Sequence, residues 1–224
     1  MLYIVSTPIG NLKDITLRAL ETLKSVDLIA CEDTRHTRIL TNHYQVQTPL
    51  TSYYEHNKLS KGPYLLRLLK EGKDIALVSD AGTPGISDPG YCIIKLAKDN
   101  GVPITAVPGP CALINALVLS NSAAGKFIFE GFLPPKQQAR LKKLNSLKGE
   151  ERTIIFYESP HRIIRSLEDI FEVFGDIKLA YVREATKKFE ETKEGTVSFL
   201  LEHFKKHPPR GEFVLIWQIP ASLK

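Results

Sequence analysis

One hydrophobic segment that runs directly into a loop rich in glycine and proline limits the folds open to this chain. Residues 75–78 read Ile-Ala-Leu-Val, a short buried strand, and residues 79–90 contain three glycines, two prolines, Asp80 and Asp88. Glycine permits positive φ and close backbone approach, whereas proline fixes φ and removes a donor. The loop is therefore expected to be stiff and to offer peptide groups and carboxylates to a ligand. Such loops bind ligands at the carboxyl ends of strands in α/β sheets; the alternative is an ordinary connection.

Strand and helix signals alternate along the chain, which predicts an α/β fold. In the first half, strands are expected at 2–5, 28–31, 74–79 and 102–107, and helices at 17–24, 34–41, 64–71, 91–99 and 111–119. This alternation favours a mainly parallel sheet with helices on both faces. In the second half, strands or extended segments are expected at 127–131, 153–157, 179–183, 189–196 and 212–219, and helices at 140–147, 163–174 and 197–204. A short run of small polar residues after position 120 suggests two α/β domains, residues 1–120 and 121–224.

The length and the cysteine content set further limits. The chain has 224 residues and 43% hydrophobic content, enough for one large core or two modest ones. Cys31, Cys92 and Cys111 are far apart and form no C-x-x-C pair. They predict a reducing compartment, and we expect a cytoplasmic protein with no metal site. No segment approaches a membrane-spanning length. Neither a Rossmann glycine motif nor a P-loop is present in the sequence.

Positive charge is concentrated in the second half of the chain. The formal net charge is +5, and residues 121–224 contain 18 Lys and Arg against 14 Asp and Glu. The densest basic stretch contains no acidic residue between Gly131 and Gly149 and comprises Lys136, Arg140, Lys142, Lys143 and Lys148. A solvated helix face and a surface that contacts phosphates are both consistent with this pattern.

Four loops that follow predicted strands of the first half carry unusual residues. They begin at Ser6, Glu32, Asp80 and Val107. Because the carboxyl ends of parallel strands meet at one edge of a sheet, we expect these loops to converge and form a pocket. In the second half, residues 156–162 bring a tyrosine, a carboxylate, an imidazole and a guanidinium into one sharp turn. This clustering favours a functional turn, as does a similar loop at 183–188.

Several of these runs together resemble the tetrapyrrole methylase superfamily, also called the class III methyltransferases. The runs are Thr7-Pro-Ile-Gly-Asn-Leu, Cys31-Glu-Asp-Thr-Arg-His-Thr, Val78-Ser-Asp-Ala-Gly-Thr-Pro-Gly-Ile-Ser-Asp-Pro-Gly, Val107-Pro-Gly-Pro, Phe156-Tyr-Glu-Ser-Pro-His-Arg and Arg210-Gly-Glu-Phe-Val. The resemblance covers nearly the whole chain. Tetrapyrrole-modifying members carry Gly-Asp-Pro where this chain has Ser79-Asp80-Ala81, which points to the branch that modifies ribosomal RNA.

The resemblance implies two α/β domains with S-adenosylmethionine in the cleft between them, and a homodimer. It also implies methyl transfer to the 2′-oxygen of a cytidine in the decoding region of small-subunit ribosomal RNA. The positions that match cofactor-binding residues of the family are Pro8, Ser79, Asp80, Ala81, Ile86, Ser87, Cys111, Ala112, Tyr157, Glu158 and Ala185. Many members have Ser or Thr at the place of Cys111, so a side-chain hydroxyl contact is not expected there, although a backbone contact is.

The chemistry requires a partner for the proton of the attacking 2′-hydroxyl. Glu158, His161 and Asp80 are the candidate catalytic residues, and the sequence does not rank them. The residues expected to contact RNA are Arg35, Lys136, Arg140, Lys142, Lys143, Arg162, Lys187 and Lys188. Two other functions stay open. A small-molecule methyltransferase that acts on a tetrapyrrole would not need the basic stretch. A non-catalytic RNA-binding protein would not need the intact loop at 79–90.

Overall fold

The chain forms two compact units, each built around its own β-sheet. The computed structural model describes residues 1–87 and 90–219, and the units divide between Cys111 and Ala112. The first unit contains strands β1 (Leu2–Val5), β2 (Leu28–Cys31), β3 (Leu50–Ser52), β4 (Ile75–Val78) and β5 (Ile104–Val107), and helices α1 (Leu17–Ser25), α2 (Thr34–His43), α3 (Lys58–Lys70) and α4 (Gly90–Asp99). None of the helices in the described ranges is long and apolar enough to cross a membrane.

The sheet of the first unit is wholly parallel. Its strand order is β3-β2-β4-β1-β5, so β4 lies at the centre. All four residues of β4 are buried, as expected for a strand covered by helices on both faces. This arrangement confirms the predicted parallel sheet, and it brings the carboxyl ends of the strands to one edge.

Two separate hydrophobic clusters cover the two faces of this sheet. Helices α1 and α2 contribute Leu23 and Leu40 to one cluster, and helices α3 and α4 contribute Leu65 and Ile93 to the other. Helix α1 begins where predicted, because the hydroxyl of Thr16 accepts a hydrogen bond from the backbone N–H three residues later. The prediction of helices on both faces is confirmed.

Two features of the first unit differ from the sequence prediction. Strand β3 was not predicted, because it has only three residues, all partly exposed, and no strong alternation. Helix α3 begins at Lys58 rather than at Tyr64. Its first turns are polar and Pro63 lies inside it, so the usual signals of hydrophobic periodicity and of a proline boundary both place its start too late.

The second unit contains a mixed sheet. Its elements are α5 (Ala112–Leu119), β6 (Phe127–Phe132), α6 (Gln137–Asn145), β7 (Thr153–Glu158), α7 (Ile163–Phe174), β8 (Lys178–Arg183), β9 (Glu191–Thr196), α8 (Val197–Lys206) and β10 (Phe213–Trp217). The strand order is β6-β7-β10-β8-β9. Strands β6 and β7 are parallel, and the other pairs are antiparallel. The Trp217 ring stacks on Phe156 with centroids 5.5 Å apart, at the centre of one continuous core.

Helix α5 belongs to the second unit, which moves the boundary away from the predicted position at residue 120. The helix packs on β7, β8 and β10 and buries Leu113, Ala116 and Leu117. The backbone N–H of Leu113 also donates a hydrogen bond to the hydroxyl of Tyr157 at 3.3 Å. The small polar run after residue 120 is therefore a loop within the second unit, and the division falls after Cys111.

Candidate functional site

Loops from the carboxyl ends of four strands touch one another in the first unit. The loop after β1 forms a two-way backbone bridge with the loop after β4, with Thr7 N to Gly82 O at 2.9 Å and Gly82 N to Thr7 O at 3.1 Å. The loop after β2 joins them because the backbone N–H of Asp33 donates to Oδ1 of Asp80 at 3.1 Å. The predicted convergence of these loops is confirmed.

The loop after β5 completes the group through hydroxyl contacts and a close backbone approach. Thr83 Oγ1 lies 2.9 Å from Ser6 Oγ and donates to the carbonyl of Pro110 at 3.2 Å. A Cβ placed on Gly109 would lie only 2.9 Å from Cβ of Ser6, so only glycine allows this approach. The four loops are thus locked into one rigid edge, which is the arrangement that a preorganised binding site requires.

The predicted cofactor residues of the first unit fall into two groups. Pro8 and Ser79 are buried, and the Ser79 hydroxyl lies 3.3 Å from the carbonyl oxygens of both Ala81 and Gly82, so it supports the loop from beneath. Ala81, Ile86 and Ser87 are exposed at the loop surface, and Asp80 and Cys111 are partly exposed. The buried residues therefore shape this loop, whereas the exposed residues are accessible to a ligand. Asp88 lies outside the described residues.

One buried feature of this edge was missed from the sequence. A small cavity under the loop after β4 is lined by Tyr53 and Glu32 together with Ser79 and Pro84. Burial raises the pKa of Tyr53 to about 12, so its hydroxyl stays protonated at neutral pH. Tyr53 directly follows β3, and its backbone N–H donates to the carbonyl of Cys31. If the short strand β3 had been predicted from the sequence, Tyr53 would have been placed at this edge of the sheet.

The carboxylate of Glu158 is fully occupied within the second unit. Its side chain is 0% exposed. Oε1 accepts from the backbone N–H of Ser159 at 2.8 Å and pairs with the Arg162 guanidinium at 2.8 Å. Oε2 accepts from the Ser166 hydroxyl at 2.6 Å. This arrangement does not support the prediction that Glu158 is a catalytic base, because its oxygens hold the turn after β7 onto the start of α7.

The other predicted residues of this turn differ in accessibility. His161 is exposed, whereas Arg162 is committed to Glu158 and also donates to the carbonyl of Leu133 at 3.2 Å. Arg162 therefore stabilises the turn, and because its side chain is only 26% exposed it is a weaker candidate for RNA contact than predicted. Tyr157 is half-buried, and its ring packs edge-on against Phe129 with centroids 4.8 Å apart.

The loop after β8 has unusual backbone geometry around Ala185. Glu184 and Thr186, on either side of it, have φ angles of 50° and 67°. Left-handed backbone is uncommon in residues other than glycine, and where it occurs it clusters at functional sites. Lys187 pairs with Glu184 at 3.0 Å and with Glu212 at 3.4 Å, so its ammonium stabilises the loop and is a weaker candidate for RNA contact than predicted.

The basic stretch on α6 does not form a single charged surface. Arg140 is 4% exposed and donates to Asp169 at 2.5 Å and to the carbonyls of Pro134 and Pro135. This arrangement does not support the prediction that Arg140 contacts RNA, since its guanidinium is buried and donates to these three acceptors. Lys143 pairs with Glu130 at 2.5 Å, whereas Lys136 and Lys142 are exposed.

The two remaining basic candidates lie on different units. Arg35, at the start of α2, is exposed but donates to both oxygens of Asp33. This hydrogen bond lowers the pKa of Asp33 to about 2. Lys188 is exposed and its ammonium lies 5.7 Å from the centroid of the Phe189 ring. Both side chains have charge that an RNA phosphate can reach.

A parallel-sheet unit whose loops meet at one edge, followed by a mixed-sheet unit, is the architecture of a class of methyltransferases. The model of the tetrapyrrole (corrin/porphyrin) methylases matches residues 1–200. The chain belongs to this family, and the methyl donor predicted from the sequence, S-adenosylmethionine, is confirmed as the cofactor of such enzymes.

Curated proteins with much higher sequence identity share a single name. The chain is 49% identical to ribosomal RNA small subunit methyltransferase I of Thermotoga maritima over 215 residues, which cover 96% of each chain. It is also 49% identical to the protein of that name from Bacillus subtilis, covering 96% of this chain and 74% of the relative. For the Escherichia coli O157:H7 protein of the same name the identity is 48%, with coverage of 96% and 76%.

Solved structures share the fold at much lower identity. Cobalt precorrin-4 methyltransferase matches with a TM-score of 0.72 and 19% identity, covering 96% of this chain and 93% of the other. Diphthine synthase matches with a TM-score of 0.74 and 14% identity, covering 97% and 88%. Uroporphyrin-III-C-methyltransferase from Thermus thermophilus matches with a TM-score of 0.68 and 18% identity, covering 97% of this chain and 94% of the other. At these identities the likeness shows the fold alone.

Proposed function

We propose that this protein transfers a methyl group from S-adenosylmethionine to the ribose 2′-oxygen of a cytidine in the decoding region of small-subunit ribosomal RNA. The observation that carries this proposal is the identity of 47–49% to eight proteins named ribosomal RNA small subunit methyltransferase I, each covering 96% of this chain. The protein is proposed to work in the cytoplasm as a homodimer, as the sequence predicts.

The surface charge supports an RNA substrate over a tetrapyrrole. Lys136 and Lys142 lie exposed on and beside α6, and Lys188 is exposed on the loop after β8. Contacts to the phosphate backbone dominate the affinity of proteins for nucleic acids, whereas a small ligand does not require such a surface. A tetrapyrrole methyltransferase of the same fold is the second candidate, because two of the similar solved structures bear such names.

The loop after β4 supplies the groups of the first unit that we propose for the cofactor. Ala81, Ile86 and Ser87 are exposed there, the Ser79 hydroxyl donates to the carbonyl of Ala81, and Ser87 has a φ of 64°. We propose that these groups, with Cys111 and Ala112, bind the cofactor. Tyr157 and Ala185 of the second unit are proposed to bind it as well, and that the cofactor contacts both units stays a prediction. When bound, the sulfonium supplies an electrophilic methyl group.

The residues of this chain must position the 2′-hydroxyl and accept its proton. In-line displacement depends above all on alignment and on exclusion of water, and a hydroxyl nucleophile also needs a hydrogen-bond acceptor as its proton leaves. With Glu158 committed to its turn, His161 and Asp80 remain the candidates. His161 is exposed, and Asp80 has one oxygen engaged by Asp33.

The proposal is tested by a methylation assay with labelled S-adenosylmethionine on three substrates: small ribosomal subunits, protein-free small-subunit RNA and a tetrapyrrole. We expect label in the RNA, at a nucleotide that resists alkaline hydrolysis because its 2′-oxygen is blocked. Label that appears only in the tetrapyrrole would overturn the RNA assignment. Comparison of subunits with free RNA also tells whether the assembled particle is the substrate.

A pH–rate profile under single-turnover conditions separates the two candidate bases. If the imidazole of His161 accepts the proton, the rate profile of the wild type contains a limb that is absent in His161→Ala. Loss of a positioned base costs about 10²–10⁴-fold in rate. A limb that persists in His161→Ala assigns the role to Asp80, or to a water molecule.

A further inference from the structure

A basic pocket lies on the second unit, beside the loop after β8. It has a volume of about 290 Å³ and lies against the ends of β8 and β9, helix α8 and the loop that leads to β10. Its walls are formed by Arg183, Glu191, His203, Phe204, His207, Pro208, Pro209 and Arg210. The two prolines fix the backbone of the loop wall, so the pocket is stiff.

Positive charge exceeds negative charge around this pocket. Glu191 is surrounded by donors, since it accepts from the Tyr181 hydroxyl at 3.1 Å and from Nε of Arg183 at 2.5 Å. The ammonium of Lys193 lies 3.7 Å from the same carboxylate. Arg210 is exposed, and among the described residues no ion pair or hydrogen bond to its guanidinium is formed. Among the described residues, one carboxylate, that of Glu191, thus lines the pocket together with the guanidinium groups of Arg183 and Arg210.

Two histidines also line the pocket, and the protonation of His203 depends on whether the pocket holds an anion. The rings of His203 and His207 lie 4.8 Å apart between centroids, and Nε2 of His203 is 3.9 Å from Glu191. Burial, and then the nearby charge of Lys193, lower the pKa of His203, although Glu191 acts in the opposite direction. The neutral imidazole is therefore favoured while the pocket holds no anion, and an anion would reverse that preference.

We propose that this pocket binds a phosphodiester of the RNA backbone, at a site distinct from the loop after β4 that is proposed to bind the cofactor. Arginine guanidinium groups match phosphate oxygens in a bidentate fork. The exposed ring of His207 and the neighbouring prolines offer surfaces for a ribose or an unstacked base. The RNA identity of the ligand rests on the proposed function, whereas the phosphate chemistry rests on the pocket itself.

The first test measures binding of a fluorescent oligoribonucleotide to the full-length protein over a range of salt concentrations. Arg210→Gln removes one charge and keeps most of the side chain. We expect RNA affinity to fall about tenfold, and the salt slope to decrease by about 0.7. Arg165→Gln is the matched control, since Arg165 is an exposed arginine on α7 of the same unit and lies outside the pocket.

The second test uses proton linkage. The charged or titratable groups near His203 are Arg183 on β8, Glu191 and Lys193 on β9, and His207 just after α8, and Arg210 before β10 lines the same pocket. A bound phosphodiester raises the pKa of His203 above its depressed value in the free protein. The extra affinity is therefore fully present below the free pKa and is lost as pH rises through the pKa of the complex. RNA affinity should rise less steeply on acidification in His203→Gln than in the wild type.

These measurements separate the possible outcomes. If Arg210→Gln and His203→Gln both bind the oligoribonucleotide like the wild type, the pocket is not an RNA site, even if the enzyme methylates RNA normally. Binding of inorganic phosphate at the pocket, measured by calorimetry, with no effect of Arg210→Gln on RNA, assigns it to free anions and also overturns the proposal. A protein that binds RNA through Arg210 but does not methylate it contradicts only the proposed function.

Discussion

Individual residues in this chain are placed by contacts that their neighbours in sequence do not reveal. Glu158 lies in a turn with the composition of a catalytic cluster, yet its oxygens accept from Ser159, Ser166 and Arg162. A buried carboxylate that is paired and hydrogen-bonded in this way stabilises local structure. The exposed His161, by contrast, has the access that proton transfer to a substrate requires.

The structural role of Glu158 is tested by Glu158→Gln. The amide removes the charge that pairs with Arg162 and places a donor group among donors, so we expect a loss of about 1–3 kcal/mol in the free energy of unfolding. Urea denaturation measures this loss, and Glu168→Gln, an exposed glutamate on α7, serves as the control. A variant with wild-type stability and a hundredfold slower methyl transfer would restore Glu158 as a catalytic residue.

Gly82 allows a second test at the level of single residues. Its φ is +81°, and a Cβ there would meet the Ile9 side chain at 3.4 Å and the carbonyl of Pro110 at 3.6 Å. These are ordinary contacts for a Cβ alone, but the two Cγ methyl groups of valine extend beyond it, so we expect the loop after β4 to shift in Gly82→Val, and with it Ala81. We expect S-adenosylmethionine affinity, measured by calorimetry, to fall at least tenfold while the fold is retained.

The matched control for this change is Gly72→Val. Gly72 has a φ of +86° and no atom within 4 Å of its Cβ position, so it carries a similar backbone penalty of about 1–2 kcal/mol without disturbing the loop. Equal cofactor affinity in the two variants would contradict the proposal that the loop after β4 binds the cofactor.

At the level of elements, helix α6 is held to α7 by a buried ion pair. Asp169 accepts from Arg140 at 2.5 Å and from Gln137 at 3.0 Å, and both charged side chains are nearly inaccessible. Helical periodicity places Arg140 on the same face as the buried Leu144 and Lys142 on another, whereas Lys136 is exposed at the N-cap position before the helix. The basic stretch is thus partly a structural anchor and partly a free surface.

This anchor predicts a distinct pattern in a double-mutant cycle. Arg140→Met leaves the Asp169 carboxylate buried without its partner, which is expected to cost about 3–5 kcal/mol. The double change Arg140→Met with Asp169→Leu should recover most of that loss. Lys142→Met on the same helix should have little effect. Urea unfolding followed by Trp217 fluorescence reports on the same core; a single-mutant loss below about 1 kcal/mol would contradict the anchor role.

At the level of the whole molecule, the excess of positive charge belongs to the second half of the chain. Residues 1–120 are nearly balanced, with 12 Lys and Arg against 11 Asp and Glu. Association with RNA depends on where cations can reach phosphates as well as on net charge. The exposed lysines of the second unit should therefore matter more than equally exposed lysines of the first.

A comparison of two double variants tests this. Lys136→Gln with Lys142→Gln should lower the slope of RNA affinity against salt by about 1.4, since about 0.7 is lost for each phosphate contact to a single strand. Lys24→Gln with Lys98→Gln changes the net charge equally at exposed sites of the first unit and should leave the slope nearly unchanged. Identical slopes for the two pairs would show that only net charge matters.

The sequence by itself determined the local features: the strand at 75–78, the cap at Thr16, the alternation of elements and the motifs that place the chain among the methylases. These depend on periodicity, capping and glycine–proline chemistry, which act over a few residues. Only the tertiary structure decided that Arg140 is buried against Asp169, that α5 joins the second unit and that Tyr53 lies under the loop after β4. Each depends on partners distant in sequence. Such partners are brought together by the tertiary fold, and the charge, length and hydrophobicity of the sequence do not identify them.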